Sequence, residues 1–218
     1  VEPVCPVVKK QPLFQSAQQM IKLAQKQSVS LGQLALEYES EILGLPRKEI
    51  LVEADRRFRI MQSSVGQGLE LEAERIQFLK PSAGKILRLE KEGRLPIGGS
   101  YVRAGARALA VMHINGKCGV VCAAPTGGSA GTLPGVLVTL LEDERIGHEK
   151  ILLSLLAAGA IGAIVAQRAT FAAEIAGCQV EIGAAGAMAA AAVVEAFGGN
   201  AGQAADAAAI AFQNIMGS

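Results

Sequence analysis

With 218 residues, 50% of them hydrophobic but only 4% aromatic and none tryptophan, the chain must build its core from Ala, Leu, Ile and Val, which favours closely packed helices over a β-sandwich. The length suits one large domain or two small ones. A net charge of +1 excludes a global electrostatic attraction to nucleic acid or to an anionic membrane.

In chain order, the first predicted helix covers 12–27, amphipathic through Phe14, Ala17, Ile21 and Ala24. Ser30, with Gln33 three positions on, predicts a capping box and a second helix with Leu34, Tyr38 and Ile42 on its apolar face. Gly44 and Pro46 end it. A third helix runs from Pro46 with Ile50, Ala54, Phe58, Met61 and Val65 on one stripe, and Gly66 and Gly68 are expected to close it. Pro81-Ser82 predicts a short helix, and Leu95-Pro-Ile-Gly-Gly-Ser a turn. Further helices fit 101–114, 132–144, 148–166, 181–197 and 200–216, with Gly198-Gly199-Asn200 between the last two. Gly119-Val-Val-Cys122 is the best strand candidate. The pattern predicts an all-α protein, a single domain over 1–218. Its N-terminal amphipathic helices span about 12–68, and an Ala/Gly-rich helical core with Gly-rich cysteine loops spans about 100–218.

Charge separates the two parts. Lys and Arg number 15 in residues 1–100 and one, Arg168, in 151–218; Asp and Glu number 12 and 4. The first part reads as solvated, the last as an interior or an interface. The apolar run 151–166 is shorter than the ~18–20 residues that span a bilayer. Glu174, Glu181 and Glu195 interrupt the small-residue stretch after it, and intramembrane carboxylates are costly, so no membrane span is expected. Four cysteines, at 5, 118, 122 and 178, make no disulfide framework. Lys9 and Lys10 interrupt the N-terminus and no apolar signal-peptide region follows, which together point to a cytoplasmic protein. The chain opens on Val rather than Met, so it is expected to be processed or cut from something longer.

Two stretches place a cysteine among small residues: 122–134, C-A-A-P-T-G-G-S-A-G-T-L-P, and 177–183, G-C-Q-V-E-I-G. A thiolate is a soft ligand for zinc or an iron–sulfur cluster, and neighbouring glycines let backbone approach a bound group. Two cysteines on separate segments suggest a composite site, although a free cysteine is equally at home in a core. In 125–131 the glycines expose N–H groups, Thr126 and Ser129 add hydroxyls and a helix follows, which makes an anion cradle. An ordinary turn before a helix has the same composition. The loop is not a P-loop, because no Gly-Lys-Ser/Thr follows it. The cysteine spacing excludes a zinc ribbon, and His113 and His148 are isolated. Ser82-Ala-Gly-Lys85 has the S-x-x-K spacing of some hydrolases but lacks the companion motifs.

Together the two stretches resemble the α chain of bacterial iron–sulfur-dependent L-serine dehydratase. The first carries Cys122, then Pro125-Thr126-Gly127-Gly128-Ser129-Ala130-Gly131 and Pro134-Gly135-Val136-Leu137. The second carries Gly177-Cys178-Gln179-Val180-Glu181-Ile182-Gly183, then Met188 followed by four alanines, Glu195 and Gly198-Gly199. The resemblance implies a lyase that forms pyruvate and ammonia from L-serine, with a role in gluconeogenesis. It implies a 4Fe–4S cluster held by three cysteines, whose open iron acts as a Lewis acid on the serine hydroxyl. Cys122 and Cys178 would be two metal ligands, and Thr126, Gly127, Gly128 and Ser129 would bind the substrate or border the cluster. Cys118, which precedes the motif, is expected to fill core space as a small hydrophobe. The resemblance places the third cysteine in a Cys-Asp-Pro beyond a segment like Asn214-Ile-Met-Gly217, and this chain stops at Ser218. The domain is therefore expected to need a C-terminal segment, a β chain or a second copy. No residue is singled out as the general base. Two alternatives stay open: a divergent lyase for another β-substituted acid, with Cys118 or Cys5 completing the site, and a non-catalytic helical subunit of the same fold.

Overall fold

Residues 10–72 and 80–215 are described by a computed structural model, and among them the chain forms ten helices and no strand. Ser16 caps α1 (Ala17–Gln27) by accepting the Gln19 amide, so this helix starts later than its apolar pattern suggests. The capping box read at Ser30 and Gln33 is present and opens α2 (Leu31–Leu43), which Gly44 ends in the left-handed conformation at φ 64°. Pro46 precedes α3 (Arg47–Leu69), whose expected stripe of Ile50, Ala54, Phe58, Met61 and Val65 is buried.

The glycines expected to close α3 do not. Gly68 lies inside the helix, and a Cβ there would stand 2.0 Å from the Ala110 carbonyl oxygen, so the glycine serves the crossing of α3 over α5. After α4 (Ala83–Lys91), α5 (Ser100–Gly116) packs against both α3 and α6 (Thr132–Glu142). The buried Arg107 of α5 fixes that second pair. It donates to Thr139 Oγ1 at 2.8 Å, to Asp143 Oδ2 at 2.6 Å and to Glu142 Oε2 at 2.7 Å. Its guanidinium holds the Asp143 carboxyl below the ordinary carboxylate range. These contacts anchor the far end of α6, whose first turn leads out of the loop bearing Cys122.

The small-residue core comprises α7 (His148–Arg168), the short α8 (Ala173–Ala176), α9 (Cys178–Ala196) and α10 (Ala201–Gln213). α9 is sandwiched between α7 and α10, and α7 also packs on α2. At that last contact a Cβ on Gly32 would lie 2.5 Å from the Leu153 carbonyl oxygen, so only glycine fits. The same turn of α2 is held from α9: fully buried Glu195 accepts the Gly32 amide at 3.0 Å, with Lys150 Nζ 3.8 Å from its other oxygen. A carboxylate at a helix N-terminus is favourably placed in the helix dipole. By length and hydropathy α7 and α9 could each cross a bilayer. Here Ala157, Ala158, Ala187, Ala191 and Ala192 from these two helices are fully buried in one cluster that extends from Phe14 to Ala208.

Candidate functional site

The loop between α5 and α6 begins with Cys118 in the left-handed conformation, φ 59°, its amide bonded to Asn115 O at 3.0 Å. Cys118 is exposed, so it does not fill the core as expected. The reason is the C-terminal turn of α5, which turns the chain outward at Lys117. The strand candidate 119–122 is also corrected: these residues form no regular element, and Gly119 instead donates to Ile114 O at 2.9 Å.

Cys122 is half-buried on the wall of a cavity of about 240 Å³. Leu43, Ile50, Met61, Leu155 and Met188 make its apolar walls, and Glu39, Glu53 and Arg57 are its polar side chains. Burial pushes the Cys122 thiol up, against the opposing pull of Arg57 and Arg56. Burial also raises Glu39, whereas the Arg56 guanidinium, bonded at 2.7 Å, brings Glu53 down to about 2.

Past the cis Ala124–Pro125 bond, every residue expected at the substrate has a partner or a close neighbour. Gly127 O accepts the Asn115 side-chain amide at 2.9 Å. Thr126 Oγ1 lies 3.1 Å from Ser129 Oγ, and Ser129 is buried. Thr126 also donates to Glu181 Oε1 at 2.5 Å. At Gly128 a Cβ would stand 2.6 Å from Glu181 Oε2, so the carboxylate lies directly against this glycine's backbone. Glu181 is in the first turn of α9, three residues after Cys178, and Gly177 turns the chain into that helix at φ 83°. Cys178 itself is exposed and opens the helix.

One hydrogen bond, Thr126 to Glu181, thus joins the two cysteine stretches across 55 positions of sequence. Sequence reading placed Glu181 in a motif and missed it as the loop's partner; its position one helical turn beyond Cys178 was the available signal. Asn115 was missed as well, and nothing in the pattern marks it. His113 has a definite job: buried in α5, its Nε2 accepts the Ser82 amide at 3.1 Å at the start of α4. That bond leaves the ring proton on Nδ1, and burial holds the imidazole below its ordinary range.

Among the described residues no three His, Cys, Asp or Glu side chains gather as a metal site. Of the three free thiols among the described residues, only Cys122 lines the cavity, and Cys118 and Cys178 are exposed, so these residues as placed do not gather the three thiolates of a cubane cluster. Cys5 lies outside the described residues.

The sequence has relatives. A chain of Bacillus subtilis named "Probable L-serine dehydratase, alpha chain" is 31% identical over 94% of this chain and 68% of its own. An "L-serine dehydratase, alpha chain" of Peptoniphilus asaccharolyticus is 30% identical over 94% of this chain and 70% of its own. An "L-serine dehydratase" of Streptomyces coelicolor is 31% identical over 94% of this chain, yet the match spans only 45% of that longer protein. The family model described as "Serine dehydratase alpha chain" matches residues 18–218, which takes in every described helix but the first residue of α1, the Cys122 loop and its Glu181 anchor. The chain therefore belongs to the serine dehydratase alpha chain family.

Proposed function

We propose that this chain is the α-type part of an ammonia-lyase that converts L-serine to pyruvate and ammonia. In that reaction a base takes the α-proton and the β-hydroxyl leaves, giving an enamine. The enamine tautomerises to an imine, and water hydrolyses the imine. The observation that supports the reading is the Thr126–Glu181 bond, which links the two cysteine stretches in a chain of this family. Thr126, Gly127, Gly128 and Ser129 are the residues we assign to the border of the substrate.

We assign an iron–sulfur cluster as the cofactor, with Cys122 and Cys178 as two of its ligands and the remainder from outside the described residues. The same incompleteness supports a partner. The match spans less than half of several longer relatives, and a β chain or second copy would supply the rest of the machinery. We place the enzyme in the cytoplasm, where its free thiols would stay reduced.

The test is anaerobic reconstitution of the full chain with iron and sulfide, alone and with a β chain, followed by pyruvate release from L-serine. Cys122→Ser and Cys178→Ser should each lower iron content and turnover by more than about tenfold, while Cys118→Ser leaves both unchanged. Failure to bind iron or form pyruvate with any partner would replace this reading with that of a non-catalytic helical subunit.

A further inference from the structure

We infer that Glu181 receives the α-ammonium group of the amino-acid substrate and so sets the specificity of this site, an inference that rests on the lyase reading above. The loop 125–131 has the composition of an anion cradle, but its side facing α9 already holds an anion. Glu181 Oε1 accepts a hydrogen bond from the Thr126 hydroxyl at 2.5 Å, and Oε2 would lie 2.6 Å from a Cβ on Gly128. A substrate carboxylate placed against Thr126 or Gly128 would meet a like charge at contact distance, in a partly buried setting where screening is weak. The loop's chemistry on this side therefore suits a cation.

Glu181 is free to take one. None of the ion pairs among the described residues includes it. An ionised carboxylate offers about four acceptor positions, and Thr126 uses one. The group is half-buried, so a charge-assisted bond to an ammonium would be stronger than on open surface. Thr126 fixes the carboxylate in place, and its own proton is spent, leaving it only as an acceptor. An α-amino acid seated with its ammonium on Glu181 directs its carboxylate and β-hydroxyl away from the loop. This orientation separates amino acids from hydroxy acids of the same shape.

L-alanine and propanoate test this, because they differ in the α-ammonium and neither carries the hydroxyl that leaves. Each is measured as a competitive inhibitor of pyruvate formation by the reconstituted enzyme with its partner. The wild type should prefer L-alanine, and Glu181→Gln, which keeps shape and loses charge, should cut that preference by about tenfold. KM for serine should rise more than kcat falls. Glu181→Asp, which keeps the charge, should retain more of the preference. An unchanged preference in Glu181→Gln, or an equal loss in both variants, overturns the inference, since a purely structural role would not discriminate between the two inhibitors. Calorimetric titration of the same pair onto the wild-type protein separates the two readings. A protein that prefers L-alanine but forms no pyruvate overturns the lyase reading and keeps the role of Glu181. A protein that binds the two alike, or neither, overturns the role of Glu181.

Discussion

α3 and α9 are both long helices with one or more buried faces, and they are held by opposite means. α3 buries large side chains, Ile50, Phe58, Met61 and Val65, on a single stripe. Its other face carries ion pairs from Glu53 to Arg56 and Arg57 and from Asp55 to Arg59, all at 2.7–2.8 Å. α9 buries Gly183, Ala184, Ala185, Ala187, Met188, Ala189, Ala191 and Ala192, enough to serve α7 on one side and α10 on the other. An alanine removes little apolar area from water. What α9 gains instead is close axial approach and the many weak contacts that come with it. The difference teaches where each region is vulnerable: α3 to lost volume, α9 to added volume.

The largest effect should therefore follow from emptying α3. Phe58 is fully buried and packs beside His148, with ring centroids 5.8 Å apart. Phe58→Ala should destabilise the protein by about 3–5 kcal/mol, the usual cost of a large-to-small aromatic change in a core. Urea unfolding followed by circular dichroism measures it. A loss below about 1 kcal/mol would mean that α3 is not held by its stripe.

Filling α9 should come next. Ala191 is fully buried, and Ala191→Leu should cost about 1–3 kcal/mol through overpacking, although the substitution adds hydrophobic surface. A comparable enlargement at an exposed position of α3, Val52→Leu, should stay within about 0.5 kcal/mol. If Ala191→Leu is neutral or stabilising, the contrast between the two helices fails.

The contrast also governs what could be read from the sequence. The stripe of α3 was legible because large residues recur at helical spacing, and the capping box of α2 because its two side chains have a fixed offset. The ends of α3 and α9 were not. Gly66 and Gly68 look like a stop, but Gly68 is needed by a neighbouring backbone carbonyl that no local pattern announces. α9 starts at Cys178 rather than 181, because its glycines and alanines have no periodicity from which to count back. The site divides in the same way. Its two cysteine stretches stand out by composition, whereas their junction depends on Thr126 and Glu181, which meet only in the fold. Glu195 reads as a polar interruption of an apolar run, and its buried bond to Gly32 spans 163 positions.

The smallest effect tests the charged face of α3. Glu53 accepts two hydrogen bonds from Arg56, at 2.7 and 2.8 Å, and one from Arg57 at 2.8 Å. The Arg56 bonds are the main cause that lowers its carboxyl from 4.5 to about 2. Because 43% of the Glu53 side chain is exposed, solvent screens the pair, and Glu53→Gln should cost only about 0.5–1 kcal/mol near pH ~7. A carboxyl whose folded pKa is depressed contributes stability above its unfolded value of 4.5 and loses that contribution as the pH falls towards about 2. Wild type and Glu53→Gln should therefore differ in urea midpoint near pH ~7, converge between 4.5 and about 2, and converge also at ~1 M salt, where the Debye length is about 3 Å. A gap that holds constant through that acid range would assign Glu53 a packing role in the Cys122 cavity wall, and the division between a charged α3 surface and an alanine-packed α9 would then lose its energetic basis.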